Sequence, residues 1–293
     1  MKQQEQTNRY FSSAAAEWQR KSIDGAGAFN IVAARNSAAL DVLARTEKAK
    51  GFLDVGCGTG QLVIEAARRG LKSDGNDFAP EMIVQCEANA KAAGVQARFF
   101  GGSFFDLPLE DQSYDVISAQ GFIEYISPQE TDEFFARCFR LLRPGGAVAV
   151  GSRNRLFNIF SLNDFTRLEG EMGTLGTLIA EATALQQSST PEAAFLALRR
   201  YERIDPQFDR HPITGIPVTT RYQFSPADLV YRLRRCGLMP RALYPVHYHG
   251  LPTAFMADHG PLHVEIASLM GEIGLRDQRL VPFSSSFVVE ARR

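Results

Sequence analysis

The sequence predicts an α/β fold built on an open, mostly parallel sheet, and three observations carry that reading. Gly51-Phe52-Leu53-Asp54-Val55 is a short buried strand that runs into the turn Gly56-Cys57-Gly58-Thr59-Gly60 and then into a helix ending at Gly70. Strand and helix patterns keep alternating from there to Gly151. Asp77 closes the next strand about 20 residues past the turn, the spacing at which a carboxylate can capture ribose hydroxyls. Glycine suits such a turn because a ligand must approach the backbone closely, and the helix that follows offers free N–H groups.

Composition narrows the function classes. With 45% hydrophobic and 22% charged residues the chain has ample material for a core, and its 293 residues suit one enlarged domain or two small ones. A formal net charge of -1 provides no field to recruit nucleic acid or an anionic membrane. Cys57, Cys86, Cys138 and Cys236 form no C-x-x-C pair and stand at no zinc spacing to histidine. Unpaired thiols, a polar N-terminus and the lack of a long apolar run give the expectation of a reduced cytoplasmic protein without a membrane span or a metal.

The elements follow in order. A helix starts near Ala14, and a second runs from about Phe29 to Thr46 with Ile31, Ala34, Ala38 and Val42 on one face. After the glycine helix come a strand to Asp77, a helix opened by Pro80, and a third strand Ala97–Gly102. The fourth strand ends at Gln120, and Gln120-Gly121-Phe122-Ile123-Glu124-Tyr125 lies beyond its carboxyl end, where ligands of parallel sheets bind. Ser127-Pro128 opens an amphipathic helix that ends at Leu142-Arg143-Pro144-Gly145-Gly146, and a fifth strand covers Ala147–Gly151.

The run from Asp54 to Gly60, together with Asp77 and the Leu142–Gly146 turn, resembles the class I S-adenosylmethionine (SAM) dependent methyltransferases of small-molecule type. The resemblance covers about residues 51–151. It implies a Rossmann-like seven-stranded sheet of order 3-2-1-4-5-7-6 with the last strand antiparallel, and SAM as cofactor. By analogy Gly56, Gly58 and Gly60 lie under the methionine part of SAM, Asp54 helps hold its amino end, and Asp77 takes the ribose. Phe78 lies against the adenine, and Gln120 lines the methyl side. Where the family usually has an Asp for the adenine amino group this chain has Ser103, a weaker uncharged acceptor, with the Phe104 backbone as a second contact. Where Glu-His is common, it has Glu124-Tyr125.

Four segments follow from this reading: an N-terminal helical lid over 1–50, the SAM-binding core over 51–151, a helical cap over 152–222, and completion of the sheet over 223–293. Roughly 70 residues thus interrupt the sheet after the fifth strand, where αβ connections usually take about 2–6. Such an insertion serves as a substrate cap or as a homodimer interface. In the lid, Tyr10 is the aromatic candidate to face the sulfonium, ahead of Trp18. Past the fifth strand, Arg153, Asn154, Arg155 and Asn158 are candidates for substrate or SAM carboxylate contacts, because a guanidinium fork matches a carboxylate. His247 and His249 share one face of the sixth strand and are candidate bases, with a structural hydrogen bond as the competing role.

A methyl transfer from SAM to O or N of a small molecule, such as a sugar, an amino acid or a secondary metabolite, is the leading expectation. It needs in-line positioning more than acid catalysis. The alternatives are a SAM-consuming cyclisation that releases methylthioadenosine and, less favoured, a non-catalytic SAM-binding module.

Overall fold

The computed structural model describes residues 30–205, 222–256 and 258–293. The expected N-terminal lid residues Tyr10 and Trp18 lie outside that range.

Seven strands form one sheet in the order β3-β2-β1-β4-β5-β7-β6. They are β1 (Gly51–Val55), β2 (Lys72–Asp77), β3 (Arg98–Gly101), β4 (Tyr114–Gln120), β5 (Leu142–Arg153), β6 (Met239–Tyr248) and β7 (Ser284–Arg292). β1 through β5 run parallel, and β7 lies antiparallel between β5 and β6. This is the expected Rossmann-like order. β5 extends further at both ends than Ala147–Gly151, because Leu142 pairs with Tyr114 and Arg153 pairs with Ser286 of β7.

The helices are α1 (Ile31–Ala44), α2 (Gln61–Arg68), α3 (Pro80–Ala92), α4 (Pro128–Leu141), α5 (Asn158–Ser161), α6 (Asp164–Glu171), α7 (Leu175–Gln186), α8 (Pro191–Leu198), α9 (Pro226–Arg235) and α10 (Gly260–Gly274). Their starts follow local chemistry. Asn30 caps α1 by accepting from Val32 N, and Ser127 with Glu130 forms a reciprocal capping box on α4.

Alternation along the strands divides the core between the two faces of the sheet. Phe52, Val116, Ala149 and Val288 pack under α1 with Ala38 and Val42. Leu53, Ile117, Val150 and Val289 pack on the opposite face with Phe134 of α4, Leu178 of α7, Phe195 of α8 and Leu229 of α9. α7 and α8 therefore belong to the main core and do not stand off from it. β6 and β7 are joined through α10, a helix the sequence patterns did not single out.

One face assignment differs from the expectation. Ile31 and Ala34 are only half-buried, and Arg35 joins Ala38, Ala39, Val42 and Leu43 as a buried residue of α1.

Candidate active site

The carboxyl ends of β1, β2, β4 and β5 meet at one edge of the sheet, and the glycine turn crosses it. Gly56, Gly58 and Gly60 all have left-handed backbones, with φ of 71°, 54° and 86°. That conformation is strained for any residue with a Cβ. A Cβ at Gly58 would meet no atom within 4 Å, so this glycine borders open space. The turn is held from below, as Gly56 N and Cys57 N both donate to Asn76 O, at 2.8 and 2.9 Å.

Two carboxylates flank this cradle. Asp54 is buried, and its Oδ1 has no hydrogen-bond partner among the described residues. Burial raises its pKa to about 7 despite a hydrogen bond from Ser118. Asp77 Oδ2 accepts from Gly58 N at 2.9 Å and Oδ1 accepts from Ala79 N at 3.0 Å. Burial raises the Asp77 pKa to about 6, against the lowering effect of these N–H groups. Phe78 is half-buried at the bend just after β2.

These features fit SAM. An orphaned, buried carboxylate oxygen suits an ammonium group. A backbone-lined hollow suits a ligand that lies on the chain, and Asp77 is oriented by the turn with lone pairs remaining for hydroxyls. Ser103 sits past β3 at the same edge, where its Oγ accepts from Phe105 N at 3.3 Å and so caps a 3-10 turn. Phe104 is buried there in an aromatic cluster with Phe122 and Phe134.

The β4–β5–β7 side is built from charged side chains. Glu124 is 2% exposed in a 3-10 turn after β4. Its Oε1 accepts from Arg35 Nη2 at 2.6 Å and from Arg153 N at 2.9 Å, and its Oε2 lies 3.2 Å from Arg153 Nε. Arg35 also donates from Nε to Ser286 Oγ of β7 at 2.7 Å. Gln120 Nε2 donates to Ser118 Oγ and Ala149 O, while its buried Oε1 has no partner among the described residues. Tyr125 is half-buried in the Glu124 turn.

Three expectations change on contact with the structure. Asn154, expected at the reaction centre, is 2% exposed and structural: its Nδ2 donates to Val281 O and Ser284 O, and its Oδ1 accepts from Leu156 N. Arg155, expected to contact substrate, is turned inward toward α6. It is 1% exposed, donates to both oxygens of Glu169 at 2.9 and 2.7 Å, and lies 3.7 Å from Asp205. Asn158 joins the same network through Glu169 and Gln223. The reason is shared: β5 continues two residues beyond Gly151 as a strand, so Asn154 and Arg155 enter the protein and Arg153 remains at the edge.

The histidines need a similar correction as bases. Their rings are close, with centroids 5.1 Å apart. His247 has φ of 60° and its Nδ1 hydrogen-bonds Ser285 Oγ. Burial, then His249 and Arg35 among nearby charges, lowers its pKa to about 3. Burial lowers the His249 pKa to about 4, and its Nδ1 lies 3.3 Å from Met256 Sδ. Both rings stay neutral and have little proton affinity, which suits polar packing better than strong base catalysis. Among the described residues no group of three or more His, Cys, Asp or Glu is arranged to hold a metal ion.

Sequence reasoning missed Arg35. The signal was present as a lone charge on an apolar stripe with Ala38, Ala39 and Val42, and it reads as a snorkelling side chain until Glu124 is known to face it. Gly121 is coupled to it: a Cβ there would sit 2.5 Å from Arg35 Nη1.

Comparison with known proteins agrees with the cradle. Residues 52–146 match the family model described as a methyltransferase domain. The ubiquinone biosynthesis O-methyltransferase of Xanthomonas axonopodis pv. citri is 34% identical over 123 residues, covering 41% of this chain and 51% of that protein. The norajmaline N-methyltransferase of Rauvolfia serpentina is 28% identical over 108 residues, 36% of each chain. The chain thus spans about half or less of the length of these curated relatives. In fold it is similar to a SAM-dependent methyltransferase from Methanosarcina mazei, at TM-score 0.53 and 19% identity over 86% of this chain and 96% of the other. It is also similar to the 1,6-didemethyltoxoflavin-N1-methyltransferase of Burkholderia thailandensis, at TM-score 0.55 and 15% identity over 98% and 86%. The glycine cradle, the two carboxylates and the strand order agree with these matches, which give residues 52–146 the character of a methyltransferase domain.

Proposed function

We propose that the protein transfers a methyl group from SAM to an oxygen or nitrogen of a small-molecule acceptor. The observation that carries this reading is the left-handed glycine turn, with open space next to Gly58 and a buried, unpartnered Asp54 oxygen at the end of β1. Gly56, Gly58 and Gly60 would hold the methionine part by close approach, Asp54 its ammonium and Asp77 the ribose. Ser103 and Phe78 stand where adenine would lie. When bound, SAM supplies an activated methyl on a sulfonium whose departure as a neutral thioether needs no acid.

The remaining work falls to this chain's residues. Gln120, with a buried carbonyl oxygen, and the ordered turn Phe122–Tyr125 define the wall of the acceptor side. Orientation at close range is the main contribution such a site can make. Neutral His247 and His249 lie near this edge but give little general-base assistance at pH 7. The favoured acceptor is therefore one whose nucleophile is already deprotonated or loses its proton to water.

Incubation with SAM and fractionated small-molecule extract tests the reading. S-adenosylhomocysteine (SAH) that forms only when acceptor is supplied is expected. Methylthioadenosine released from SAM alone, above its spontaneous rate, would replace methyl transfer by cyclisation.

A further inference from the structure

We propose that Asn89 of α3 is a positioning residue for the cofactor: aimed by Gln85, it holds the glycine turn in the shape that receives the methionine part of SAM. This rests on SAM being the cofactor and adds a residue that acts through the backbone of the turn.

A turn of left-handed glycines does not hold itself. Gly56, Gly58 and Gly60 can leave their φ of 71°, 54° and 86° at little steric cost, so surrounding groups must fix them. Around Gly58 and Thr59 those groups come from the end of β2 and from α3. Gly58 N donates to Asp77 Oδ2 at 2.9 Å. Cys86 Sγ donates to Gly58 O at 3.0 Å, and Asn89 Nδ2 donates to Thr59 O at 2.9 Å. Of the two donors on α3 the amide is the stronger, since a thiol donates weakly.

Holding both carbonyls against α3 fixes two consecutive peptide planes, Gly58–Thr59 and Thr59–Gly60. It also fixes which glycine faces which way. A Cβ at Gly60 would lie 3.1 Å from Cys86 Sγ, so this glycine packs on α3, whereas a Cβ at Gly58 would meet no atom within 4 Å.

Asn89 is itself aimed. Gln85 Nε2 donates to Asn89 Oδ1 at 2.9 Å, which leaves the Asn89 amide nitrogen directed at Thr59 O. The two amides stand four residues apart on one side of α3, where side chains meet. Asparagine is a mediocre residue for a helix interior, so helix propensity does not account for it at this position. α3 also begins directly after Asp77 and Ala79, whose N–H donates to Asp77 Oδ1 at 3.0 Å. One rigid element thus sets both the ribose carboxylate and the glycine turn. A turn already held in its bound shape loses little backbone freedom when the ligand arrives, and a loosened one must be ordered at a cost in affinity.

The test needs no turnover. Calorimetry compares SAH with methylthioadenosine, which carries the same adenosine without the amino-acid part. Asn89→Leu is close in size, favours the helix and lacks the donor. SAH affinity of the folded protein is expected to fall about tenfold in this variant, while methylthioadenosine affinity stays within about twofold. Gln85→Met keeps the donor and removes its aim, and is expected to lose about threefold for SAH alone. Asn89→Gln, with the donor on a longer arm, is expected to recover part of the loss.

A merely structural Asn89 would lower the urea midpoint and leave both affinities unchanged, and that result would overturn the proposal. Equal losses for the two ligands in Asn89→Leu would overturn it as well, because the turn would then have no selective part in holding the amino-acid end. Should Asn89→Leu fail to fold, Gln85→Met decides, and unchanged SAH affinity there counts against the proposal. SAH that does not bind the wild-type protein overturns the cofactor reading together with this assignment, whereas undiminished binding in Asn89→Leu overturns the assignment alone.

Discussion

At the β1–β2 end the site is lined by backbone, with left-handed Gly56, Gly58 and Gly60 over an open hollow, whereas at the β4–β5–β7 end it is lined by Arg35, Glu124 and Arg153. The first end offers N–H groups, close approach and two carboxylates to a cationic ligand. The second offers an excess of positive charge. A backbone-lined turn is defined by local geometry. A side-chain site depends on residues brought together from α1, β4, β5 and β7.

The largest effect expected from breaking this arrangement lies just behind the charged edge. Arg155 ties the end of β5 to α6 and to the segment after α8 through Glu169 and Asp205, both buried. Arg155→Ala leaves those carboxylates without their cation and is expected to cost about 3–5 kcal/mol in urea unfolding. SAH affinity in the folded fraction should be nearly unchanged, because the cradle lies elsewhere. A loss of less than about 1 kcal/mol would mean the network does not anchor these segments.

Cofactor affinity should depend on pH through the other end. The pKa values of Asp54 and Asp77 are raised to about 7 and about 6; pairing with an ammonium requires ionised Asp54, and accepting from two ribose hydroxyls requires ionised Asp77. Binding is thus full above pH 7 and weakens as pH falls, by about tenfold per unit for each group below its pKa. Calorimetry with SAH between about pH 5.5 and pH 8 measures this, and proton release on binding should accompany it. Without ligand the sign reverses. A carboxyl whose folded pKa lies above its unfolded value favours the fold at low pH, and that contribution fades as pH rises through about 6 to 7. Flat SAH affinity over this range would remove both carboxylates from ligand contact.

A smaller effect sharpens the adenine end. Ser103→Asp keeps a side-chain cap for Phe105 N and adds a charged acceptor near the adenine position. SAH affinity is expected to rise by about two- to fivefold, read by the same calorimetry.

The contrast also explains what was legible in the sequence. The glycine turn and Asp77 are written in short segments whose spacing reflects local geometry, and the strand order followed from the family resemblance that those segments carry. The charged edge is not local. Arg153, Asn154 and Arg155 look equivalent in a row of polar residues, yet one more pair of β5–β7 ladder positions turns the last two inward. Arg35 was hidden for the opposite reason, as a charge in an apolar stripe whose partner lies far along the chain. His247 and His249 advertised proton chemistry by residue type alone. Burial and neighbouring cations, which only the packed structure reveals, remove most of their basicity.

The place of the cofactor at the glycine turn is tested most directly by one calorimetric comparison, SAH titrated into the wild-type protein and into Gly58→Val. Valine at Gly58 both strains a left-handed position and fills the open hollow. The account predicts at least about a hundredfold loss of SAH affinity for Gly58→Val with the fold retained by circular dichroism. SAH bound normally by Gly58→Val would contradict it.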